Sequence, residues 1–116
     1  MRKVTKVITD AFFDRRSRKC GNTRTDGTTI WLHGNAIAQW QGVELFITLA
    51  GWDTVTTRER LNGIGRRAAF SVFRDRGVTF IGVRNDHDPT WRDGIVEMPR
   101  SSWISPHKFI AHFADK

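Results

Sequence analysis

Apolar residues recur along this chain with two periods, and the change from one to the other marks its elements. Near the start, Val4, Val7, Ile8, Ala11 and Phe12 fall at i, i+3, i+4, i+7 and i+8, the spacing of one helical face. From Thr28 the period becomes two. Ile30 and Leu32 alternate with Trp31, and Val43, Leu45, Ile47 and Leu49 alternate with Glu44, Phe46 and Thr48. Turn residues at Gly34-Asn35 and Gln41-Gly42 divide this stretch into three strands, TTIWL, AIAQW and VELFITL. Short links between them predict antiparallel neighbours. Phe46, on the polar side of the third strand, implies that this side is partly covered.

The period then returns to that of a helix. Thr56-Thr57-Arg58-Glu59 fits a capping box, with Thr56 as N-cap and Glu59 at N3, and Val55 stands where a hydrophobic staple begins. Leu61, Ile64 and Ala68 would bury one side of this helix, while Gly63 and Gly65 weaken it and are candidates for its end. Ala69–Arg74 and Val78–Val83 flank Asp75-Arg76-Gly77, which reads as a hairpin whose three-residue link carries a bulge. Gly94–Met98 is a further strand, and Pro106 opens a short helix with Phe109, Ile110 and Phe113 on one face. The expected fold is α+β in one domain over 1–116. It combines an antiparallel sheet of five or six strands with an N-terminal helix, a central helix and a short C-terminal helix.

Charge changes this picture. Nineteen Lys and Arg oppose twelve Asp and Glu, for a net charge of +7, and fourteen of the nineteen are Arg. Arg forms bidentate contacts with phosphate and carboxylate, so the excess points to nucleic acid, an acidic protein or an acidic membrane surface. The positive charge comes in two blocks, each +5: the first thirty residues, and the 27 residues from Arg58 to Arg84. In the first block Arg15, Arg16, Arg18 and Lys19 crowd the segment DRRSRK, which also reads as a solvated helix end leading into a polar loop, GNTRTDG. In the second, Arg58, Arg60, Arg66 and Arg67 crowd the central helix. An exposed tryptophan among Trp31, Trp40 and Trp52 would be able to stack on bases.

Candidate chemistry is sparse. Cys20 is the one cysteine, so no intrachain disulfide forms, which fits a reducing compartment. No uninterrupted apolar run marks a signal peptide or a membrane span, and we expect a cytoplasmic setting with no membrane partner. There is no phosphate loop, dinucleotide fingerprint or nucleophile elbow. His33 and Asn35 read as turn chemistry rather than as a base or a ligand, and the His residues lack metal-ligand spacing. Asp86, His87 and Asp88 read as a polar loop tip. We expect no metal and no cofactor, and nothing in the spacing calls for an enzyme.

Two segments, Leu32-His33-Gly34-Asn35-x-Ile37-Ala38 and Gly51-Trp52-x-Thr54-x-Thr56-Thr57-x-Glu59-Arg60-Leu61-Asn62, resemble small proteins encoded by tailed bacteriophages. The resemblance spans about Asn22 to Phe80 and brings no catalytic role to any of these residues. It implies an accessory phage protein acting in the host bacterial cytoplasm, on host nucleic-acid processes or against a host protein. Charge and resemblance together predict a non-catalytic protein that binds nucleic acid through Arg15, Arg16, Arg18, Lys19, Arg58, Arg66, Arg67 and Trp52. The alternative is a module that binds and inhibits an acidic host protein.

Overall fold

The structure is a computed structural model that describes residues 2–83 and 94–114. Its elements are α1 (Lys3–Phe13), β1 (Arg18–Cys20), β2 (Thr23–Thr25), β3 (Thr29–Leu32), β4 (Asn35–Gln41), β5 (Glu44–Ile47), α2 (Val55–Ala68), β6 (Phe70–Asp75), β7 (Val78–Val83), β8 (Ile95–Glu97) and α3 (Pro106–Ala114). The α+β class and all three helices are as the sequence predicts. The strands, however, form two antiparallel meanders, β1 to β5 and β6 to β8, where the pattern suggested one sheet.

The sheets stay apart because the edge of β6 is occupied. The Asn62 side chain on α2 donates to the Val72 carbonyl at 2.8 Å and accepts from the Val72 amide at 2.7 Å. A helix amide thereby supplies the pairing that another strand would have given. The far edge of β5 is met by an isolated bridge from Ile47 to Ile104, with hydrogen bonds of 2.8 and 2.9 Å. One buried cluster still joins both sheets, with Phe12 from α1, Ile37 and Ile47 from the first sheet, Leu61 and Ile64 from α2, and Val72 and Ile81 from the second.

β1 and β2 lie in the segment read as a helix end and a loop. Their period-two signal is carried by threonine. Thr23 and Thr25 are buried while Arg24 between them is exposed. The Thr25 hydroxyl donates to the Thr29 carbonyl at 2.7 Å and accepts from the Gly27 amide at 3.0 Å, which makes its burial tolerable. Gly27 adopts φ +90 and lies so close to the Arg15 backbone that a Cβ would meet its carbonyl carbon at 2.5 Å. This contact fixes the start of the sheet against the end of α1.

The turns also differ in detail. The β3–β4 turn is centred on His33-Gly34, one residue earlier than Gly34-Asn35, with φ 51 and 82; Asn35 pairs with Leu32 as the first residue of β4. Arg76-Gly77, with φ 52 and 81, is likewise a two-residue turn, because Asp75 pairs directly with Val78 and no bulge is present there. The irregularity falls between β3 and β4 instead. Ile30 pairs with Ala38 and Trp31 with Ala36, so Ile37 is the extra residue, and Ile37 and Ala38 are both buried.

The capping box does not form. Thr54, in an extended conformation, is the N-cap, and its hydroxyl accepts from the Thr57 amide at 3.1 Å. Thr56 therefore lies inside the first turn, and Glu59 lies beyond N3 with other partners. Val55 is 72% exposed rather than stapled. Neither Gly63 nor Gly65 ends the helix, which stops at Ala69 in the left-handed conformation. At Gly65 a Cβ would lie 2.1 Å from the Phe70 carbonyl oxygen, so glycine there lets β6 pass against α2. The 85–89 loop with Asp86, His87 and Asp88 lies outside the described residues.

Moving the cap has a measurable consequence. Thr54→Ala should lower unfolding stability by about 0.5–2 kcal/mol, and Thr56→Ala should leave the urea midpoint within experimental scatter of wild type. The reverse order in urea melts would return the cap to Thr56.

Candidate nucleic-acid interface

The arginines of α2 separate into structural and surface groups. Arg60 is 4% exposed. Its Nε donates to the Thr23 hydroxyl at 3.0 Å, its Nη1 to the Thr5 hydroxyl at 2.8 Å and to the Glu59 carboxylate, and its Nη2 to Asn22 Oδ1 at 3.4 Å. The Thr5 hydroxyl also donates to Glu59, as does the Arg2 amide at 3.2 Å. Burial opposes ionisation of Glu59, but the bonds from Thr5, Arg2 and Arg60 outweigh it and hold its carboxyl below the ordinary value. Arg58 is also engaged. It pairs with Asp53, whose other oxygen accepts from the Thr79 hydroxyl on β7. Arg58 thus fastens α2 to the second sheet, which lessens its value as a phosphate contact.

Arg66 and Arg67 are exposed in the last turn of α2, where cations also suit the helix dipole. Arg67 lies 4.2 Å from the Phe13 ring centroid and 3.6 Å from Asp10. Phe13 meets Trp40 edge-on at 5.4 Å, and Trp40 stacks on Phe12 at 5.1 Å. Arg15 lies over Trp40 at 4.5 Å and donates to the Gly42 carbonyl at 2.8 Å. Residues from both arginine-rich blocks therefore meet on one pair of touching rings. Trp40 is structural: its indole N–H donates to the Phe12 carbonyl at 3.1 Å. Arg15 itself occupies the left-handed position that closes α1, φ 58, with the Arg16 amide bonded back to the Ala11 carbonyl at 2.8 Å. Arg16 reaches only the exposed Asp14, at 3.1 Å.

The opposite side of the first sheet has a different character. Lys19, Arg24 and Trp31 are direct neighbours across β1, β2 and β3. They project away from the buried Thr23, Thr25, Ile30 and Leu32. The Arg24 guanidinium lies 3.9 Å from the centre of the Trp31 ring. Arg18, one residue earlier on β1, faces the helix side and is exposed. The row opens on a hollow of about 220 Å³ that reaches Gly21, Asn22 and Gly34.

Beyond the His33-Gly34 turn lies a larger hollow of about 430 Å³, lined by Leu32, His33, Asn35, Ile37, Trp52 and Thr56 among others. Residues from the 32–38 and 51–62 segments thus converge on one cavity. Trp52 is 60% exposed at its edge. His33 lies in the turn: its amide donates to the Asn22 carbonyl at 2.8 Å, and its Nε2 lies 3.3 Å from Asn22 Nδ2. Arg24 and Trp31 in register are the pair that sequence reading did not single out. The TRT alternation was their one signal, and its threonines disguised it. Among the described residues, no cluster of three or more His, Cys, Asp or Glu is placed to hold a metal ion.

Fold and charge together define a basic α+β protein. The matching family model is that of the Kyanoviridae Gp96 protein, over residues 1–98. The chain belongs to this family, and so to the proteins of bacteriophages. No curated protein and no solved structure matches it. No helix among the described residues is long and apolar enough to cross a membrane.

The lowered carboxyl of Glu59 ties stability to pH. A carboxylate whose folded pKa lies below its unfolded value adds stability above the ordinary range, and that stability is lost as pH falls through the folded value. Glu59→Gln should cost about 1–3 kcal/mol at pH 7. The gap from wild type should shrink in urea melts taken at progressively lower pH below about 4.3, the ordinary glutamate value. A gap independent of pH would exclude a role for the Glu59 charge.

Proposed function

We propose that this phage protein binds nucleic acid through phosphate contacts made by Arg15, Arg16, Arg18, Lys19, Arg66 and Arg67. The observation that carries this reading is the meeting of the two arginine-rich blocks, with Arg15 on Trp40 and Arg67 on Phe13, whose rings touch. Arg58 has a smaller part, since its charge is already matched by Asp53. The exposed ion pairs Arg16–Asp14 and Arg67–Asp10 are weak competitors for phosphate, because such pairs contribute little in water. Base preference should be slight, since phosphate contacts position a protein without reading sequence.

Fluorescence-anisotropy titrations at several salt concentrations test the reading. With about four phosphates contacted, the log–log slope of affinity against salt should be roughly −3 to −4. Arg66→Gln with Arg67→Gln should reduce its magnitude by up to about two, and Arg16→Gln with Arg18→Gln should do the same. The second pair spares Arg15, which closes the α1 turn. An absence of binding to any oligonucleotide at low salt would overturn the reading and favour an acidic protein as partner.

A further inference from the structure

Resting on the phosphate-binding reading above, we propose that the nucleic acid is single-stranded, with bases stacked on Trp31 and Trp52 to either side of the His33-Gly34 turn. Three features of the first sheet support this. Lys19, Arg24 and Trp31 stand in one row across three neighbouring strands. Strands are about 4.8 Å apart, so two cations and an indole fall within about 10 Å of one another. The β4 neighbour of Trp31 is the small Ala36, and the indole is half-buried. Arg24 lies against the indole and completes a cationic, planar surface of the kind on which a base stacks.

The turn itself leaves open space. No atom lies within 4 Å of the place a Cβ would take on Gly34. Gly34 borders the hollow beside Trp31, while its neighbours His33 and Asn35 border the larger one beneath Trp52. The row runs across the strands and ends at Trp31, two residues before the turn, so a single strand that leaves Trp31 and rounds the turn would reach the second hollow. That hollow, about 430 Å³, falls in the range of small-molecule sites. Leu32 and Ile37 give it an apolar wall, and His33 and Asn35 add polar groups at the edge, a combination suited to a planar base with a hydrogen-bonding rim. A duplex keeps its bases paired and stacked inside, where neither tryptophan could meet a base face; the splayed bases of a single strand are free to do so.

The test compares a fluorescein-labelled single-stranded oligonucleotide with a duplex of the same phosphate count, titrated with wild type, Trp52→Ala, Trp52→Phe, Trp31→Leu and Trp31→Phe. Far-UV dichroism and urea melts accompany each variant. The single strand should bind more tightly than the duplex. Trp52→Ala and Trp31→Leu should each weaken single-strand binding about 5- to 150-fold, while duplex binding and the salt slope stay near wild type. Each Phe variant keeps an aromatic face and should recover most of the loss, which a merely structural role would not produce. Equal binding of the two oligonucleotides, or single-strand affinities of the Ala and Leu variants equal to wild type, would overturn the stacking proposal while leaving the phosphate reading intact. Failure of wild type to bind either oligonucleotide would remove both.

Discussion

A guanidinium enclosed by protein must have its charge and its donors matched, and Arg60 imposes that requirement on half of this chain. Thr5 from α1, Thr23 from β2, Asn22 from the β1–β2 turn and Glu59 from α2 itself all answer it. Satisfying one side chain therefore fixes the depth of α1, the rotation of α2 and the position of the sheet's first hairpin. The constraint also reaches the surface. Asn22, held by Arg60, touches the His33 ring and accepts the His33 amide, so the turn between the two tryptophan-flanked hollows is braced from the protein interior.

Arginine consequently does two different jobs here. Arg58 and Arg60 join elements of the fold, each against an acidic partner on or beside α2. Arg15 and Arg67 lie over aromatic rings, at 4.5 and 4.2 Å from the centroids, which restrains the side chains at the surface. A count of charge along the chain treats these groups alike. The folded protein distinguishes them by burial: the Arg58 and Arg60 side chains are largely enclosed beside their carboxylates, whereas Arg67 and its partner Asp10 are exposed.

The legible parts of the fold were those in which apolar residues carried the period. The stripe from Val4 to Phe12 led directly to α1, and the alternation led to β5, although the turn before it is Gly42-Val43 rather than Gln41-Gly42, which leaves Val43 94% exposed, and Leu49 lies past the strand's end. Where threonine carried it, at Thr23 and Thr25, the strand looked like loop, because a buried hydroxyl is indistinguishable in sequence from an exposed one. The cap was displaced for a related reason: Thr54, Thr56 and Thr57 are all competent acceptors, and only the extended backbone of Thr54 selects among them. The separation into two sheets was beyond reach, since it depends on Asn62 meeting the Val72 backbone across ten positions. Of the surface residues, Trp52 and the arginines were visible as types, whereas the Lys19–Arg24–Trp31 row exists only once β1, β2 and β3 are in register.

β1 is the outermost strand of its sheet, three residues long, and carries Arg18 and Lys19. An unpaired strand edge invites a second copy to add to it, and short length with like charge is the usual deterrent. The cations that would attract a polyanion are thus also the guard against self-association. Like charges on two β1 edges would repel each other across such a ladder, and dissolved salt screens that repulsion.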